Sequence, residues 1–109
     1  PVEPPAEAPP SPPTLARFDL DRAFGEAWRL RREGRADAAA LAFDALLDHD
    51  TGSRRADILF WSARAHLDAG HDDVTEARLR ALLRDHPESW HAPEARSMLA
   101  AAGSRRTGQ

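Results

Sequence analysis

Shifted by 36 positions, the chain aligns on itself without a gap. Phe24 falls on Phe60, Ala27 on Ala63, Gly34 on Gly70, Phe43 on Leu79, and Ala45-Leu46-Leu47 on Ala81-Leu82-Leu83. A unit of that length, broken by glycine near its middle, reads as two helices joined by a tight turn. One such hairpin carries apolar residues on both broad sides, so only stacking on a neighbour buries them. The repeat therefore predicts an all-α chain: an α-α superhelix of two helical hairpins plus a C-terminal capping helix.

Composition agrees with the repeat. From Leu15 to Ala102 alanine and leucine dominate, the β-branched residues are Thr51, Ile58, Val74 and Thr75, and proline occurs only at Pro87 and Pro93. That is helical usage. Gly34, Gly52, Gly70 and Gly103 fall where the apolar period breaks, as residues just past helix C-termini do. The reading is five helices over roughly 19–33, 36–49, 53–69, 72–85 and 89–101, with Asp72 and Ser89 as N-caps. The helical domain spans 15–102, and the polar stretch 103–109 is expected to fray.

Seven of the nine prolines sit in the first 13 residues, among alanines and two glutamates. Residues 1–14 cannot build a core; a chain with fixed φ and few amide donors samples extended polyproline and acts as a semi-rigid linker. Pro1-Val2-Glu3-Pro4 also meets the Pro-x-x-Pro spacing of a ligand for proline-binding modules. No run has the 18 or so apolar residues of a membrane span, and the start lacks a signal-peptide pattern. No direct membrane contact is expected from this sequence. It opens at Pro1 rather than a methionine, and any targeting or anchoring segment is expected upstream.

Charge and cysteine exclude further classes. The chain is 41% hydrophobic and 30% charged, as globular proteins are, with 15 basic and 18 acidic residues and a net charge of -3. No global field draws it to nucleic acid. All 15 basic residues are Arg, which reads as GC-rich coding before it reads as a demand for guanidinium chemistry. The densest basic run, Arg29, Arg31, Arg32 and Arg35 beside Trp28, is interleaved with Glu26, Glu33 and Asp37, as a solvated helix face is. Cysteine is absent, which removes disulfides, thiolate metal sites and cysteine nucleophiles.

Residues that carry chemistry elsewhere lack their context here. His49, His66, His71, His86 and His91 could bind zinc with Asp68, Asp72 and Asp73, yet no two histidines have the i, i+4 spacing of His-Glu-x-x-His, and His66 and His71 straddle the Gly70 turn. No metal or cofactor is expected. Asp48 with Asp50, and Asp72 with Asp73, lie in turns where nothing raises a carboxyl pKa for acid–base work. Ser53, Ser62, Ser89 and Ser97 have no nucleophile elbow around them, and no phosphate-binding glycine loop occurs. The chain is not expected to be an enzyme.

The repeat resembles the tetratricopeptide family. That pattern has a small residue midway along the first helix, glycine at the turn, alanine and then an aromatic on the second helix, and proline at its end. Repeat one supplies Ala27, Leu30, Gly34, Ala39 and Phe43, with Thr51 in the proline's place; repeat two supplies Ala63, Gly70, Leu79 and Pro87, with Thr75 for alanine. Pro93-Glu94-Ala95-Arg96-Ser97-Met98-Leu99 then opens a capping helix. A narrower resemblance, carried by Ala56-Asp57-Ile58-Leu59-Phe60-Trp61 through Gly70 and by His86-Pro87-Glu88-Ser89-Trp90-His91-Ala92-Pro93-Glu94-Ala95, is to the envelope subgroup of Tol-Pal coordinators and outer-membrane assembly lipoproteins. The proline tract stands where the coordinators carry coiled-coil heptads.

The resemblance implies a non-catalytic module that holds a protein or peptide in a concave groove, in the periplasm or envelope of a bacterium, with the cytoplasm as the other setting. Positions matched to the groove are Asp21, Phe24, Trp28, Arg31 and Arg32 in repeat one, Asp57, Phe60, Arg64, Leu67 and Asp68 in repeat two, and Arg96 in the cap. Large rings and planar guanidinium forks suit interface anchors. Phe24 and Phe60 are equally readable as packing between helices. Trp61 and Trp90 fall outside the groove positions, at the repeat junction. A carboxylate clamp is not expected, since Phe24 and Trp28 hold positions that it fills with Lys and Asn. The alternative is a structural, self-associating domain of a membrane-anchored regulator or lipoprotein.

Overall fold

A computed structural model describes residues 17–49 and 52–108. The proline linker at 1–14, with Asp50 and Thr51, lies outside the described residues. The elements are α1 (Arg17–Arg32), α2 (Ala36–Leu47), α3 (Arg55–Asp68), α4 (Asp72–Asp85) and α5 (Ala92–Gly108), with one 3-10 turn at Gly52–Arg54 leading into α3. Among the described residues there is no strand. The described fold is all-helical.

The repeat is visible in how α1 and α3 stop. Gly34 and Gly70 take φ of 82° and 85°, a left-handed conformation that L side chains resist. One residue further on, the Arg35 amide reaches the Leu30 carbonyl at 3.0 Å and the His71 amide reaches the His66 carbonyl at 2.8 Å. These are the long-range bonds of two Schellman caps, 36 positions apart. No atom lies within 4 Å of a Cβ built at either glycine, so a substitution there meets backbone strain alone. Gly34→Ala and Gly70→Ala are each expected to lower stability by about 1 kcal/mol. Gly25→Ala, inside α1 with equal room, is expected to raise it by up to about 1 kcal/mol. Urea unfolding followed by circular dichroism ranks the three, and equal losses at Gly25 and Gly70 would contradict the assignment of the caps.

The principal helix contacts run in chain order, α1 on α2, α2 on α3, α3 on α4 and α4 on α5. Ala27 and Ala63, Phe43 and Leu79, and Leu46 and Leu82 are all buried, so burial repeats with the sequence. Two apolar clusters result. The first joins Ala27, Ala39, Ala40, Phe43, Leu46, Ile58 and Ala65 from α1, α2 and α3; the second joins Leu59, Phe60, Ala63, Leu79, Leu82, Ala92 and Ala95 from α3, α4 and α5. Helix α3 serves both, and Leu47 and Trp61 pack against each of them. Thr75, in the place of Ala39, is buried with its hydroxyl 3.0 Å from the His71 carbonyl and 3.3 Å from that of Ala63. Its polar atom is therefore satisfied.

Several helix ends differ from the sequence reading. Asp72 is the first residue of α4, preceded by His71 without a side-chain cap bond, so its carboxylate acts on the helix dipole rather than as a cap. Ser89 accepts the His91 amide at 3.0 Å, and α5 starts later, at Ala92. Pro93 then occupies the first turn, where its missing amide costs nothing. Helix α5 also runs through Gly103 to Gly108, within the stretch 103–109 read as a tail. The positive-φ glycines are Gly34, Gly52 and Gly70; Gly103 keeps the helical sign and costs only propensity, about 1 kcal/mol. Among the described residues no helix is long and apolar enough to cross a membrane.

Candidate functional site

Helices α1, α3 and α5 bring their side chains onto one face. Trp28 of α1 and Trp61 of α3 meet with ring centroids 4.5 Å apart. The Arg31 guanidinium lies 5.6 Å from one ring and 5.4 Å from the other, within cation–π range, and reaches Asp68 at 3.3 Å. Toward the start of the helices Arg54 pairs with Asp21 and covers the ring of Phe24. The ladder Asp21–Arg54, Trp28–Trp61, Arg31–Asp68 ascends both helices together, so α1 and α3 run side by side in the same direction.

The contact of α3 with the turn before α5 and with its first turn repeats this with different residues. His91 donates from Nε2 to Asp57 at 2.8 Å, and Asp57 stands 36 positions after Asp21. The His91 ring is sandwiched, with its centroid 4.3 Å from Phe60 on one side and 4.3 Å from Trp90 on the other. Phe60 is buried and Trp90, the outer ring, is 81% exposed. Arg64 reaches Glu94 across the same gap at 3.7 Å. Between them opens a cleft of about 430 Å³ lined by Trp61, Arg64, Trp90, His91 and Glu94 among others.

Eight of the eleven positions read from sequence join these contacts: Asp21, Phe24, Trp28, Arg31, Asp57, Phe60, Arg64 and Asp68. Phe60 is buried beneath His91, and Phe24 is half-buried and packs edge-on to Phe43 at 5.8 Å, so both rings serve the packing. Arg32 and Arg96 are exposed and Leu67 is half-buried; none of the three lines the cleft. Trp61 and Trp90, read as lying at the junction, stand at the centre and the rim of the face. Trp61 aligns with Gly25 and Trp90 with Arg54, so matching the two repeats hides both tryptophans. The recurrence of Arg54 and Trp90 as covers over Phe24 and over the Phe60–His91 stack is the signal that could have found them.

A second polar cluster ties α2, α3 and α4 together. The Asp44 carboxylate accepts from the Ser62 hydroxyl at 2.6 Å, from His66 Nε2 at 2.8 Å and from Arg78 Nε at 3.2 Å. Burial alone would push its pKa up; the bonds from Ser62 and His66 and the charge of Arg78 outweigh that and hold it below the usual carboxylate range. With the His66 Nε2 proton directed at Asp44, the other ring nitrogen, Nδ1, lies 2.9 Å from His71 Nδ1. His71 Nε2 in turn faces Asp37 at 3.5 Å. The Schellman turn at Gly70 brings these two histidines together, which their spacing of five did not announce. Ser62 is fully buried and donates to a carboxylate, not to an imidazole, so it is a tie rather than an activated nucleophile. Among the described residues no three His, Asp or Glu side chains are grouped to hold a metal ion.

The sign of the Asp44 shift sets a pH dependence. A carboxyl whose folded pKa is depressed contributes stability above its unfolded value, about 3.9, and loses that contribution as pH falls through the lower folded value. Wild-type stability is therefore expected to drop more steeply than that of Asp44→Asn between about pH 4 and pH 2. Thermal melts across that range check it, and parallel curves would contradict the assignment.

Comparison with family models, with curated proteins and with solved structures gave no match. The chemistry of the face therefore carries the functional reading.

Proposed function

We propose that the chain is a non-catalytic interaction module, a tetratricopeptide-like stack of two hairpins and a capping helix that takes an extended peptide or protein segment along the face formed by α1, α3 and α5. The observation that carries the reading is the exposed Trp90 ring beside a cleft whose other walls are Trp61, His91 and the Arg64–Glu94 pair. Leaving a tryptophan in water forgoes about 2 kcal/mol or more of burial, and tryptophan and arginine are both enriched in interface hot spots. The cleft stands on helices that are cross-tied by ion pairs and ring contacts, so a ligand meets a preorganised surface and loses less entropy on binding. The envelope setting belongs to the same proposal and rests on the resemblance over residues 56–95.

The test is affinity selection of peptides from a random display library against the immobilised full chain. The reading expects sequences that bind wild type with micromolar or tighter affinity and compete with one another. Failure to recover any peptide that binds the folded chain in solution overturns it.

A further inference from the structure

The full chain carries a candidate occupant for its own cleft. We infer that the proline-rich segment 1–14 docks, within the same molecule, against the Trp61–Trp90 cleft and so occupies the interaction face until a partner displaces it. The inference rests on the reading of that face as a docking surface and names the chemistry it accepts: a polyproline stretch bearing carboxylates.

Three observations support this occupant. First, rings fit prolines. The cleft presents Trp61, Trp90 and the His91 ring stacked behind it, and aromatic-lined grooves take pyrrolidine rings from a polyproline helix, whose stiffness makes docking cheap in entropy. Second, charge is complementary. The segment has Glu3 and Glu7 and no basic side chain, whereas Arg64 borders the cleft and Arg31 lies over the two tryptophans beside it. The Nε atoms of both arginines are covered and have no acceptor among the described residues, so a modest shift of either guanidinium toward a docked carboxylate gives it one. Third, the reach is sufficient. Helix α1 starts at Arg17 and runs parallel to α3, so Trp28 and Trp61 lie about 16 Å along from that start, and the cleft is roughly one interhelical spacing further across. Thirteen residues of polyproline span about 40 Å, more than these two distances together.

All three tryptophans of the chain belong to this face, and the chain has no cysteine. Their indole N–H signals and a single engineered label therefore test the inference in the full chain. With a nitroxide on Ala6→Cys, the Trp61 and Trp90 indole signals should lose more than half their intensity relative to the ascorbate-reduced sample, independently of concentration. Replacing Pro9, Pro10, Pro12 and Pro13 by Ser should restore them, while backbone spectra report an unchanged fold. Undiminished indole signals overturn the inference. So does broadening that appears only when labelled chain is mixed with a separate isotope-enriched chain, which would place the segment on a second copy. If selected peptides bind the cleft while the label leaves the indoles untouched, only this inference fails and the interaction face stands.

Discussion

Asp44→Ala is expected to destabilise the chain by about 3 kcal/mol, a large part of the 5–15 kcal/mol available to a small domain. It should lower Tm by roughly 10–20 °C. The carboxylate is the one acceptor shared by Ser62, His66 and Arg78, and its removal leaves a fully buried hydroxyl, a buried imidazole and a partly buried guanidinium without it. Unmade bonds cost more than made ones contribute, because each stranded donor keeps its full desolvation penalty. Asp44 keeps about a quarter of its side chain exposed, which holds the figure below that of a wholly buried pair. Arg84→Ala, which removes an exposed ion pair with the adjacent Asp85, is the matched control and should leave stability nearly unchanged. Calorimetry of the two variants decides it; an Asp44→Ala loss no greater than the Arg84→Ala one would show that the cluster contributes nothing.

The second large effect is on binding. Trp90→Ala combined with Arg64→Ala should weaken any peptide selected on the face by roughly 30- to 100-fold. Stability should change little, since Trp90 is mostly in water and the Arg64–Glu94 pair is partly exposed. Trp61 is a worse choice for this test, because it packs on both apolar clusters and its loss would confuse binding with folding. Titration calorimetry on wild type and the double variant, with melts run in parallel, separates the two. Unchanged affinity would move the ligand to another surface.

How much of this was legible beforehand depends on whether a residue's role repeats. Gly34 with Gly70, Ala27 with Ala63 and Phe43 with Leu79 do the same work in both units, so their spacing alone placed two caps and two buried rows. Arg64 and Trp28 were placed on the face shared by α1 and α3 by the same route. The features that escaped belong to one unit only. Trp61 stands opposite Gly25, and His91 does for Asp57 what Arg54 does for Asp21, with a different donor one position out of register. The Asp44 cluster escaped for another reason: its members come from three helices, and a hydrogen-bond network of that kind leaves no period in the sequence. Gly103 misled because glycine stops a helix when the chain must turn, and in α5 the chain continues as helix.

The proposed function puts the ligand on one continuous face, built by α1, α3 and α5. The most direct measurement is heteronuclear NMR of the isotope-enriched full chain during titration with a selected peptide. The largest shifts are expected on the Trp28, Trp61 and Trp90 indoles and on the His91 and Arg64 amides, with Leu41 and Arg84 unmoved. Shifts centred on Leu41 and the exposed side of α2, with silent indoles, would contradict it.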